Sequence, residues 1–79
     1  MTIYEATIER TMQICREKRL SEYSLIELSG MPPSTMKCIL HGRTRNPGIA
    51  NVNKIAEGLG MSIREFFDSE LFDNLDQGE

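Results

Sequence analysis

Seventy-nine residues suffice for one small domain with a single core and leave no room for a second. Hydrophobic residues at 39% and charged residues at 27% give a soluble, globular balance, and no apolar run approaches the roughly 18 residues that a membrane span requires. The net charge of -3 hides an uneven spread: between 28 and 56 the only charged side chains are the bases Lys37, Arg43, Arg45 and Lys54, whereas 68–79 holds Asp68, Glu70, Asp73, Asp76 and Glu79 and no base.

Helical periodicity governs the chain from its start. Tyr4, Ile8, Thr11, Ile14 and Cys15 fall on one stripe and predict a first helix from about Ile3 to Lys18. Ser21 is placed to cap a second, short helix with Leu25 and Leu28 as its apolar positions, ending near Gly30, a residue free to take positive φ. Pro32 and Pro33 suit a helix's first turn, where a missing N–H costs nothing, so a third helix starts there with Met36, Ile39 and Leu40 inward and Gly42 at its end. Asn46-Pro47-Gly48 marks 43–48 as an exposed loop. A fourth helix over about 50–58 buries Val52, Ile55, Ala56 and, just past its end, Leu59. Ser62-Ile63-Arg64-Glu65 then has capping-box spacing and opens a fifth helix that buries Ile63, Phe66 and Phe67. Ser69 through Leu75 adds at most a turn or two, and 76–79, with nothing to bury, is expected to be disordered. No segment alternates with period two. The fold expected is therefore all-α, a bundle of five short helices over 3–68 followed by an acidic, partly disordered tail over 69–79.

Residues 21–42 form a distinctive unit: a short helix, a turn at Gly30-Met31-Pro32, and a second helix at about 33–41. That is helix-turn-helix anatomy, with the second helix free to enter a DNA major groove. Leu25, Gly30, Met31, Met36 and Ile39 supply the apolar contact, the left-handed turn, the plug beneath it and two anchors. On these residues, together with Ser34-Thr35-Met36, Ile39-Leu40-His41-Gly42, Asn46-Pro47, Ile55-Ala56-Glu57-Gly58-Leu59-Gly60-Met61-Ser62 and Glu65-Phe66-Phe67, the chain resembles the phage-repressor and Cro type, the XRE family, over roughly 8–68. The resemblance implies a five-helix DNA-binding domain of the lambda-repressor type whose third helix reads the major groove. Three departures stand out: Ile26 where the family usually has alanine, Arg19 where a glycine commonly ends the first helix, and Pro33, Ser34 and Cys38 where long amide side chains read bases in the best-known phage members.

The resemblance assigns Ser34, Thr35 and Cys38 to base edges, which suits Ser and Thr hydroxyls and the threonine methyl. The alternatives are that Ser34 and Thr35 only cap the helix start and that Cys38 is half-buried packing. Ser21, Lys37, His41, Arg43 and Arg45, with Lys54, are the expected phosphate contacts, which position the protein and make binding salt-dependent. The alternative for Arg43 and Arg45 is an ordinary solvated loop, and a lone histidine such as His41 more often complements its helix C-terminus.

The expected function is sequence-specific binding of double-stranded DNA by a transcriptional regulator, a repressor in the family's usual sense. A homodimer joined through the fifth helix with Leu71, Phe72 and Leu75 is expected, since one short helix reads only a few base pairs. The competing reading is a protein-interaction module, such as an antitoxin or phage accessory factor, holding a partner with the apolar and acidic tail. Two cysteines and one histidine make neither a disulfide framework nor a zinc site. No phosphate-binding glycine loop or nucleophile–base set is present, so no enzyme, cofactor, metal or small-molecule ligand is expected. The opening Met1-Thr2-Ile3-Tyr4-Glu5 lacks the pattern of a secretory signal, and the expected location is the cytoplasm.

Overall fold

Capping side chains set where the first, second and fifth helices begin in the computed structural model, which describes residues 1–44 and 46–76. Helix α1 runs over Ile3–Lys18 and opens on a capping box: the Thr2 hydroxyl accepts from the Glu5 backbone N–H at 3.3 Å while the Glu5 carboxylate accepts from the Thr2 N–H at 2.8 Å. Donation from the Thr2 N–H, and then from the Thr2 hydroxyl at 3.1 Å, holds the Glu5 carboxyl below its ordinary range. The helix ends at Arg19, whose φ of 57° is left-handed and is rarely adopted by a residue with a Cβ. Helix α2, Glu22–Ser29, starts where the Ser21 hydroxyl accepts from the Ser24 N–H and stops at Gly30 with φ 71°. Helix α3 is Pro33–Leu40, α4 is Ile49–Gly58, and α5 is Ile63–Phe67, opened by the reciprocal Ser62 and Glu65 bonds. A single 3-10 turn, Glu70–Phe72, follows. No strand occurs among the described residues, and no helix is long and apolar enough to cross a membrane.

One core joins all five helices. Phe66, Ile14, Leu25, Met36, Ile55, Leu59 and Thr11 are the largest of the fully buried side chains, and Met31 plugs the turn between α2 and α3. Burial of such side chains contributes about 1.5–3 kcal/mol apiece, before the entropy cost of ordering the chain. Thr7 and Thr11 enter this apolar space because each hydroxyl donates to a carbonyl one turn back, Ile3 at 2.7 Å and Thr7 at 2.8 Å. The buried face of α1 is thus Ala6, Thr7, Thr11, Ile14 and Cys15, with Tyr4 and Ile8 only half-buried, a slight rotation from the expected stripe. Burial pushes the Cys15 thiol above its ordinary value.

Helix α2 differs more clearly. Leu28 is 58% exposed and Ile26 takes the inward place beside Leu25. Closely packed against this helix is α4: a Cβ on Gly58 would lie 3.0 Å from the backbone N and Cα of Ser29, so the crossing is spaced for a glycine. The bulky Ile26 therefore sits in the motif without opening it, because its side chain joins the core.

Arg10 ties the first helix to the last. Its Nε donates to the Phe66 carbonyl at 2.7 Å, an acceptor that a five-residue helix leaves open at its C-terminus, and its Nη2 to the Glu65 carbonyl at 3.0 Å, which also accepts from the Asp68 N–H. Its Nη1 donates to the Gln13 amide oxygen at 3.0 Å. Beyond α5 the chain stays on the body of the protein. Phe72 packs against Phe67 with ring centroids 4.8 Å apart and against Phe66 at 6.2 Å, and the Asp76 N–H donates to the Met1 carbonyl at 3.0 Å. The disorder expected from residue 76 onward thus does not begin at Asp76, which has a partner at the other end of the chain; 77–79 lie outside the described residues.

Candidate nucleic-acid interface

Two helices and one turn build the site. Gly30 turns the chain left-handed, the Met31 N–H donates to the Ser29 hydroxyl at 3.2 Å, and buried Met31 holds α3 at a fixed offset from α2. Met36, Ile39 and Leu40 are buried, which turns Ser34, Thr35, Lys37, Cys38 and His41 toward the outer face. Ser34 and Lys37 are exposed and Thr35 and Cys38 half-buried.

The N-cap of α3 is Pro32, which offers no side-chain acceptor, and Pro33 occupies the first helical position. Ser34 and Thr35 are therefore inside the helix rather than capping it. Their backbone N–H groups belong to the first turn, where no helical carbonyl is available, and they lie at the positive end of the helix dipole. An uncapped first turn with two hydroxyls is a donor-rich tip suited to an anionic or acceptor-rich ligand.

Beside this tip lies a cleft of about 260 Å³ whose walls are Ser34, Thr35, Cys38 and Ile39 from α3 and Thr44, Asn46, Pro47 and Asn51 from the loop and α4. The three base-edge candidates thus share one surface. Thr44, Asn46 and Asn51 join them although side-chain pattern alone singled out none of the three; the Asn46-Pro47 turn signal was the nearest indication. Asn51 reaches back from α4 to donate to the Pro47 carbonyl at 2.9 Å, and the Asn46 N–H donates to the Thr44 hydroxyl at 3.3 Å, so the loop is fastened to the helix that follows it.

The phosphate candidates divide. Lys37 and Arg43 are exposed. Ser21 serves as the α2 cap and its hydroxyl also donates to the Ser24 hydroxyl at 3.0 Å. His41, the C-cap of α3, has its Nε2 3.1 Å from the Glu22 Oε1, so it already has a protein partner. Arg45 lies outside the described residues. On the opposite flank of α3, Glu22 and Glu27 line a groove with Lys37, Tyr23, Ile26 and Pro33, giving α3 one uncharged flank and one acidic flank. Among the described residues, no group of three or more His, Cys, Asp or Glu side chains is placed to hold a metal ion.

No match was found among curated proteins or among solved structures. The family model described as Cro/C1-type HTH DNA-binding domain matches residues 12–70, from the middle of α1 through the start of the 3-10 turn, and so takes in the whole helix-turn-helix and the core beneath it. With well over half of its length matched in this way, the chain belongs to the Cro/C1-type HTH DNA-binding domain family.

Proposed function

We propose that this protein is a transcriptional regulator, acting as a repressor, that binds a specific double-stranded DNA site by laying α3 in the major groove. The observation that carries the reading is the first turn of α3: uncapped, bearing the exposed Ser34 and the half-buried Thr35, and joined to an uncharged cleft in which Thr44, Asn46 and Asn51 stand beside Ile39 and Pro47. Ser34, Thr35 and Cys38 meet base edges there. Lys37, Arg43 and Arg45, with Ser21 and His41, meet phosphates on either side and set register. All of these except Ser21 lie in the acid-free stretch between 28 and 56, which supports contact with a polyanion despite the net charge of -3.

An eight-residue reading helix contacts few base pairs, so the protein acts as a two-fold pair on half-sites about 34 Å apart. Of the surface expected to join the pair, Phe72 is turned onto its own Phe66 and Phe67, which leaves Leu71 and Leu75, both half-buried, in the segment after α5. The body over 3–68 is the binding domain and the tail its appendage.

Selection from random duplex DNA at two salt concentrations tests the reading, followed by Ser34→Ala and Thr35→Ala on the enriched site. Enrichment of a site with paired half-sites, affinity that falls with salt, and relaxed preference in the variants are expected. Failure to enrich any site would reject base readout by α3.

A further inference from the structure

Two acids, Glu22 and Glu27, stand in the groove beside Lys37, and Glu22 is the one that touches another expected phosphate contact. Glu22 is the first residue of α2, adjacent in sequence to Ser21, and its carboxylate meets the imidazole of His41 at the far end of α3, 3.1 Å away. The contact joins the start of one motif helix to the end of the other. Glu22 also walls the groove that contains Lys37. The side chains of His41 and Glu22 remain 47% and 32% exposed, so a polyanion approaching this face meets both. The remaining charged neighbours of His41 along the chain are Lys37, whose carbonyl accepts the His41 backbone N–H at 2.9 Å, and Arg43, two residues further on.

Donor chemistry makes this pair consequential. A neutral imidazole has a single N–H, and a carboxylate beside Nε2 takes it. Nδ1 is then an acceptor and has nothing to offer a phosphate oxygen. A DNA backbone gains His41 only by displacing Glu22 or by meeting a doubly protonated ring, and in both cases it does so next to a negative charge. We propose that Glu22 restrains the affinity of this face for a nucleic-acid backbone by holding His41, and is thus a positioning residue rather than a contact. The inference rests on the DNA-binding reading above. Because the contested contact is to phosphate, the restraint acts alike on every sequence, which lowers non-specific binding without altering base preference.

A double-mutant cycle read by fluorescence anisotropy on a random-sequence duplex, at two salt concentrations, tests it with the full chain. Glu22→Gln is expected to tighten binding about five-fold and to steepen its salt dependence. In a His41→Ala background the same substitution is expected to give less than about two-fold, because the side chain it would release is gone. Thermal melts of all four proteins keep the binding comparison within the folded range. No gain from Glu22→Gln, or an equal gain in both backgrounds, overturns the role of His41. Absence of salt-sensitive duplex binding by the wild type and every variant overturns the DNA-binding reading itself.

Discussion

Replacing Arg10 by methionine probes whether the short fifth helix depends on a side chain from the first. Methionine keeps most of the aliphatic stem and its packing while removing the guanidinium. Two hydrogen bonds to α5 are lost, one of 2.7 Å to the part-buried Phe66 carbonyl and one of 3.0 Å to the Glu65 carbonyl near the surface; the bond to the Gln13 amide oxygen and a long one of 3.5 Å to the Asp68 carbonyl go with them and are replaced by water. A charge-assisted bond in a sheltered setting contributes about 1.5 kcal/mol, and one that water can replace about 0.5 kcal/mol, so the expected loss is about 2 kcal/mol. For a domain of this size, each kcal/mol moves the melting temperature by roughly 4–8 °C, which predicts a fall of roughly 8–16 °C. Circular dichroism at 222 nm during heating measures it directly. Arg10→Lys, able to reach only one carbonyl, should fall between the two. A shift below about 3 °C for Arg10→Met would show that water satisfies the end of α5 equally well and that the clasp is incidental.

Three further outcomes follow from the same geometry. Gly58→Ala drives a Cβ to 3.0 Å from the Ser29 backbone, and the cost of about 1–3 kcal/mol exceeds the gain of up to about 1 kcal/mol in helix propensity, so the variant should melt lower than wild type. Arg19→Gly should raise stability by about 0.5–1 kcal/mol, because the left-handed φ of 57° suits glycine; a loss in chemical denaturation would show that the arginine side chain matters there. Glu5 and Glu65 are both held below the ordinary carboxylate range by hydrogen bonds from Thr2 and Ser62, so their contribution is complete above that range and disappears as pH falls through their folded-state values. The double variant Glu5→Gln with Glu65→Gln should therefore flatten the acid side of a melting-temperature profile between neutral pH and pH 3, and an unchanged profile would contradict the linkage.

Local chemistry was the legible part of this fold. Ser21, Gly30, the two prolines and the Ser62–Glu65 pair announce helix ends through the backbone groups they satisfy or lack, and the structure places α2, α3 and α5 at those marks. Thr2 and Glu5 carried the same signal with the same spacing, and the expected helix began correctly at Ile3 without it. Facing directions were harder. An eight-residue helix makes barely two turns, and Leu25 with Leu28 is as good a stripe as Leu25 with Ile26; the close approach of α4 at Gly58 decides between them, and that crossing is not written in the α2 sequence. Contacts between distant residues were illegible for the same reason. Arg10 on Phe66 and Glu22 on His41 depend on how helices are stacked, and neither side chain's identity implies its partner. Within the candidate site, the outward set on α3 followed from its anchors, whereas Thr44 and Asn51 joined it only because the loop folds back beside Cys38.

The aromatic trio of Phe66, Phe67 and Phe72 bears on how this module is transplanted into chimeric proteins. A cut at residue 68, or at 70 where the family pattern ends, removes the ring that covers Phe67 at 4.8 Å and strips the partner from the Met1 carbonyl. Grafts that splice a foreign segment after Asp76 keep both closures intact, so the acidic stretch is better treated as the hem of the domain than as a linker to be replaced.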